Sequence, residues 1–201
     1  MEFTLKIIII IYAIIIHEIS HGYAALALGD RTAQYAGRLT LNPIKHIDIM
    51  GTIILPIAVF VMSAGTFLFG WAKPVPYNPY NLKNQRWGSA IVALAGPVAN
   101  LVIAAVFVIF VHVGVAQGFM TTSLAEISVF IVQMNIILAF FNLLPIPPLD
   151  GSKILFSVLP YHMMHVKNHL ERYGFFILLF FIVFFGDTFF QFIDAFTRFL
   201  F

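Results

Sequence analysis

His17, Glu18 and His21 stand in the apolar stretch Ile7 to Gly22, which reads IIIIIYAIIIHEISHG. One ionisable side chain at the centre of a bilayer costs at least ~2.5–3.5 kcal/mol on insertion scales. Three of them so close together require a partner. His17 and His21 are four residues apart, so on a helix they share a face, one turn above the other. Two imidazoles so placed can bind one Zn²⁺. Glu18 then lies beside the metal without ligating it, where it can take a proton from a bound water. In a soluble helix this pattern is a weak signal; inside an apolar span it is much stronger.

A catalytic zinc site takes three protein ligands and keeps one position open. The chain has no cysteine, which excludes disulfides and thiolate ligands, so the third ligand must be a His, Asp or Glu. Asp150 is the best placed. Its approach, FNLLPIPPL over residues 141–149, breaks an apolar helix where a carboxylate would face inward. Irregular backbone at that depth is tolerated only if buried in protein or lining a water cavity. The rival reading of Asp150 is an Asp-Gly turn after a proline-broken helix. For the His-Glu-His group the rival is a polar network or proton relay between helices.

The elements that must position these residues are those of an integral membrane protein. The 201 residues are 61% hydrophobic and 10% charged, with a mean hydropathy of +0.95; soluble domains average roughly 45–50% apolar and about 25% charged. A net charge of +2 and the lack of a basic-aromatic patch give no case for nucleic acid. The first apolar run is too long and too charged for a signal-peptide core and is read as retained. No stretch is long and polar enough for a second, soluble domain, so residues 1–201 are read as one membrane-embedded domain.

Phe3 to Leu28 is the first span, ended by Gly29-Asp30. Tyr35 to Leu41 alternates polar and apolar residues and closes at Asn42-Pro43, which predicts a short β-hairpin. Ile47 to Trp71 is a second apolar run, interrupted by Gly51, Pro56 and Gly65, and Pro74, Pro76 and Pro79 keep the following linker extended. Trp71, Tyr77, Tyr80 and Trp87 place that linker at a membrane interface. Ser89–Ala116 and Glu126–Leu144 read as further spans, 152–173 as an amphipathic interfacial helix, and Gly174–Phe201 as a last, Phe-rich span.

Basic residues set the topology. They occupy the linkers after the first two apolar runs (Arg31, Arg38, Lys45, then Lys73, Lys83, Arg86) and are absent from residues 117–125. A second run that dips in and returns puts both linkers in the cytoplasm. The expected architecture is therefore an all-α polytopic membrane protein with about four full spans, a re-entrant segment over 47–71 and a short β-hairpin.

With HEISH in the first span, AGPVAN (95–100) opening a later one and NLLPIPPLDG (142–151) closing the next, the chain resembles the site-2 protease family of intramembrane zinc metalloproteases. The three motifs stand in that family's order and cover most of the chain. The resemblance implies a compact member without PDZ or CBS domain. It further implies one zinc held by His17, His21 and Asp150, with Glu18 as catalytic base. The substrate would be a membrane protein cut within or beside a transmembrane helix, in a bacterial or archaeal cell membrane, with the active site toward the cytoplasm.

Asn142 is the polar group best placed to anchor substrate backbone, with helix termination as its rival role. Asn100 is a second candidate for substrate, with a bond to a neighbouring helix as its rival. His46 reads as interfacial, and His162, His165 and His169 as a solvated or headgroup-facing surface. The phenylalanines from Phe175 to Phe192 read as lipid-facing bulk. The alternative function is a non-enzymatic cation transporter or metal-binding membrane protein. Transport gives Glu18 no reason to sit between two ligands, and the chain lacks the repeated broken helix a transporter would show. Nothing in the sequence points to an oligomeric state or names the substrate.

Overall fold

The run that carries HEISH folds as one helix, α1 (Glu2–Ala27), about 39 Å long at 1.5 Å per residue. The computed structural model describes residues 2–62, 65, 70 and 72–201, and every regular element among them is helical. Gly29 adopts φ 107°, a left-handed value that ends α1 without the penalty a Cβ would carry.

A single turn, α2 (Thr32–Tyr35), follows where the β-hairpin was expected. That expectation is wrong: no strand occurs among the described residues. The period-two pattern of 35–41 does not correspond to burial. Tyr35 is 79% exposed and Leu41 56%, while the charged Arg38 is buried. Gly37 turns the chain at φ 62°, and side chains rather than a ladder take up the backbone groups nearby. His46 Nε2 donates to the Thr40 carbonyl (2.8 Å), and the Arg38 guanidinium donates to the Lys73 carbonyl (2.6 Å).

The second apolar run begins with a π-helical stretch, Ile49–Ile54, that passes into α3 (Leu55–Met62). Trp71 lies outside the described residues. Ile49–Met62 extends about 21 Å, short of the ~30 Å hydrocarbon core. The Lys73 N–H donates to the His46 carbonyl (3.0 Å), which brings residues 46 and 73 side by side.

Residues 72–78 carry no regular secondary structure and lead through a 3-10 turn, Pro79–Asn81, to α4 (Gly88–Ala116), followed by α5 (Thr122–Asn142), α6 (Asp150–Val158) and α7 (Met164–Phe199). Among the described residues, helices α1, α4, α5 and α7 are the four that are long and apolar enough to cross a membrane. The polar stretch before Gly174 is divided between α6 and the first turns of α7, because the last helix starts ten residues earlier than its apolar part. Helix α4 is central, packing against α1, α5 and α6, and α7 packs on α5. Ala104, Val132, Ile136 and Ile193 form the core between α4, α5 and α7, and Ala25, Leu82 and Val92 a second cluster at the far end of α1. Outward-facing Val102, Val106, Ile109, Phe176 and Phe184 are exposed, as side chains that meet lipid should be.

Candidate metal centre

Three elements that are remote in sequence meet at one point. Helix α1 supplies His17 and His21, both buried, with their ring centroids 4.7 Å apart and their planes at 88°. Asp150, 6% exposed, stands at the start of α6. Its Oδ2 lies 3.1 Å from His17 Nε2 and 3.0 Å from His21 Nε2. The other oxygen, Oδ1, accepts from Lys153 Nζ at 3.2 Å, one turn along α6. A carboxylate in the first turn is also favoured by the helix dipole. Gly151 lets the chain close here, since a Cβ at that position would collide with the carbonyls of Leu143 and Leu144.

The outer nitrogens of the two imidazoles are both engaged. His17 Nδ1 donates to Asn100 Oδ1, and His21 Nδ1 donates to the Val92 carbonyl at 2.7 Å. Both partners belong to α4, on either side of Pro97, which lies inside the continuous helix and has no N–H for the Ala93 carbonyl. With protons on both Nδ1 atoms, both Nε2 lone pairs face Asp150.

These residues fit a zinc ion. Two imidazoles and a carboxylate are a donor set zinc takes when it keeps a position for water. The three ligand atoms lie within 4.8 Å of one another and form the one such group among the described residues. Bonds of about 2.0–2.1 Å in a tetrahedral shell place neighbouring ligand atoms about 3.3 Å apart, close to both contacts of Asp150. Gly96 lines the same space. A Cβ there would lie 2.6 Å from the Nε2 atoms of both His17 and His21, so only glycine leaves it open.

Glu18, on the next position of α1, accepts the Val75 N–H through Oε2 at 2.8 Å. The segment 72–78 therefore lies alongside the site. Gly22 permits this approach, because a Cβ on it would sit 2.9 Å from Val75 and 2.5 Å from Leu39.

Asn142 ends α5, partly buried, with its amide donating to the Leu138 carbonyl at 2.9 Å. Asn100 is fully buried. Its amide donates to the Ala13 carbonyl (3.3 Å) and to Asn135 Oδ1 (2.8 Å) while its oxygen accepts from His17. His46 is buried against Thr40, and His162, His165 and His169 lie exposed away from the centre. Gly96, Val92 and Asn135 are the site residues that sequence reasoning missed. AGPVAN contains Gly96, whereas nothing distinguishes Val92 or Asn135 within an ordinary apolar helix.

The model of peptidase family M50 matches residues 5–123 and 111–185. A Bacillus subtilis protein named as a zinc metalloprotease is 38% identical over 178 residues, 86% of this chain and 77% of that one. One from Methanocaldococcus jannaschii, named likewise, is 33% identical over 157 residues, 76% and 70% of the two chains. A third, from Mycolicibacterium smegmatis, is 29% identical over 167 residues, 82% of this chain but 61% of the relative. No solved structure matches the chain.

Proposed function

The chain belongs to peptidase family M50, the site-2 proteases, and on that premise we propose that His17, His21 and Asp150 hold one zinc per chain with Glu18 as general base. The protein is an integral membrane zinc metalloprotease. The observation that carries the residue assignment is the convergence of both Nε2 atoms on one carboxylate oxygen inside an apolar span.

Zinc bound there lowers the pKa of a water toward ~7 and polarises a carbonyl. The residues of the chain do the rest. Glu18 uses Oε2 on Val75, which leaves Oε1 to take the proton of the attacking water and return it to the leaving amine. Asn142, the last residue of α5 before the broken segment 143–149, is assigned to anchor the substrate backbone through its side-chain oxygen, its amide being held on the Leu138 carbonyl. The substrate is a membrane protein cut within or beside a transmembrane helix. That helix must unwind first, because its carbonyls are engaged in i→i−4 bonds.

The site faces the cytoplasm in this reading. Arg31, Arg38, Lys45, Lys73, Lys83 and Arg86 all lie in the linkers at the His21 end of α1, and residues 117–121, between α4 and α5, carry no basic residue. Relatives from bacteria and an archaeon support a cell-membrane setting.

The test is purified protein, a single-span substrate and elemental analysis. One zinc per chain is expected, with cleavage lost on chelation and restored by zinc. Full zinc occupancy in a His17→Ala/His21→Ala double variant would overturn the ligand assignment.

A further inference from the structure

We infer that Asn100 and Asn135 are positioning residues that fix the tautomer and orientation of His17, and that through it they set zinc affinity. The inference rests on the ligand assignment above and extends it to two groups that touch neither metal nor substrate. Asn100 is 0% exposed and Asn135 1%, at a depth where neither amide has water as an alternative partner. Their bonds form a directed chain. Asn135 Nδ2 donates to the Ile131 carbonyl at 2.9 Å, so Asn135 Oδ1 must face Asn100. Asn100 Nδ2 donates to that oxygen and to the Ala13 carbonyl, so Asn100 Oδ1 must face His17. His17 Nδ1 then has only an acceptor before it and must carry the ring proton.

The two backbone carbonyls anchor the direction, because a carbonyl can only accept. Flipping Asn100 would set its oxygen against the Ala13 carbonyl and against Asn135 Oδ1, two acceptor–acceptor contacts. Flipping Asn135 would do the same at Ile131. The proton on Nδ1 is thus dictated from α5, through α4, onto α1, and Nε2 is left unprotonated toward Asp150. His21 reaches the same tautomer differently, through the single carbonyl of Val92. The asymmetry has a consequence: a side-chain change on α5 can weaken one ligand and leave the other alone.

The experiment is zinc affinity, measured by chelator competition on the full detergent-purified chain, with thermal unfolding of the zinc-free protein in parallel. Outer-sphere partners of metal-bound imidazole typically contribute about 10–100-fold to affinity, which is the loss expected for Asn100→Ala. Asn135→Ala should weaken zinc in the same direction by a smaller factor. Asn100→Asp keeps an acceptor on His17 Nδ1 but sets its second oxygen against the Ala13 carbonyl and Asn135 Oδ1, so it should bind zinc more tightly than Asn100→Ala while unfolding at a lower temperature in the zinc-free state. A merely structural role predicts the reverse order of affinity, with a buried carboxylate doing more harm than alanine. In a His17→Ala background, Asn100→Ala should cost no further affinity, because the ligand it positions is gone. Wild-type affinity in both alanine variants overturns the inference, and so does an equal loss with and without His17. If His17→Ala itself leaves zinc affinity unchanged, the ligand assignment fails instead.

Discussion

Glu18 is held by the Val75 N–H and not by any of the three candidate ligands, and this makes its role separable from that of its neighbours. Glu18→Gln retains an oxygen for the Val75 N–H and leaves His17, His21 and Asp150 in place. Zinc content should match the wild type while cleavage falls by about 10²–10⁴-fold, the usual contribution of a general base. Turnover within about tenfold of wild type would remove Glu18 from that role. Gly96 offers a complementary test, since a methyl group there would stand 2.6 Å from both imidazole nitrogens. Gly96→Ala should weaken zinc by more than about tenfold, a loss of the size seen when groups around a metal site are disturbed. Chelator competition reads this directly, and unchanged affinity would show that the space beside the imidazoles is not limiting.

At the scale of the elements, the motifs were legible because each combines residue types that an ordinary apolar helix avoids. Two histidines and a glutamate in a span, a Gly-Pro pair inside another, and a proline-broken helix running into Asp-Gly are expensive features that require a reason. The loop after α1 was misread because its period-two pattern is a coincidence of composition. Arg38 is buried through its guanidinium and Tyr35 is left outside, which hydropathy alone reverses. What organises the loop is Asp30, fully buried just beyond α1. It accepts from the Thr32 N–H and hydroxyl, the Asn81 amide and the Asn78 N–H, and so ties α1 to the segment that runs past Glu18. Burial alone would raise its pKa, but these bonds outweigh it and hold the carboxyl below its ordinary value. A carboxylate with a depressed folded pKa contributes stability above its unfolded pKa of ~3.9 and loses it as pH falls through the folded value. Asp30→Asn leaves the Asn78 N–H facing an amide donor, at a cost of about 1–3 kcal/mol near neutral pH. The gap in thermal midpoint between wild type and variant should therefore be widest near pH 7 and shrink below about pH 4. A gap that does not change with pH would show that the charge of Asp30 is not what holds the clasp.

For the molecule as a whole, apolar length identified the four crossing helices, but length alone could not decide whether 47–71 crosses too. The folded chain adds a distance: the Lys73 N–H meets the His46 carbonyl at 3.0 Å, so the two ends of the run lie side by side. The expected outcome is that the linkers before and after it share a side and that the turn between α4 and α5, one full helix away, lies opposite. Gln34, Gln85 and Thr121 are exposed reporters for these three places, and the absence of cysteine means that single cysteines there can be labelled without background. With an impermeant thiol reagent on intact cells, Thr121→Cys should react, while Gln34→Cys and Gln85→Cys should react only after the membrane is opened. The positive charge in both linkers sets that orientation, and the contact between His46 and Lys73 supports the shared side of the first two. Reaction of Gln34→Cys and Gln85→Cys from opposite sides would mean that the segment spans the bilayer. Reaction of all three from outside would instead place the His17–His21 end of α1 outside and overturn the cytoplasmic assignment.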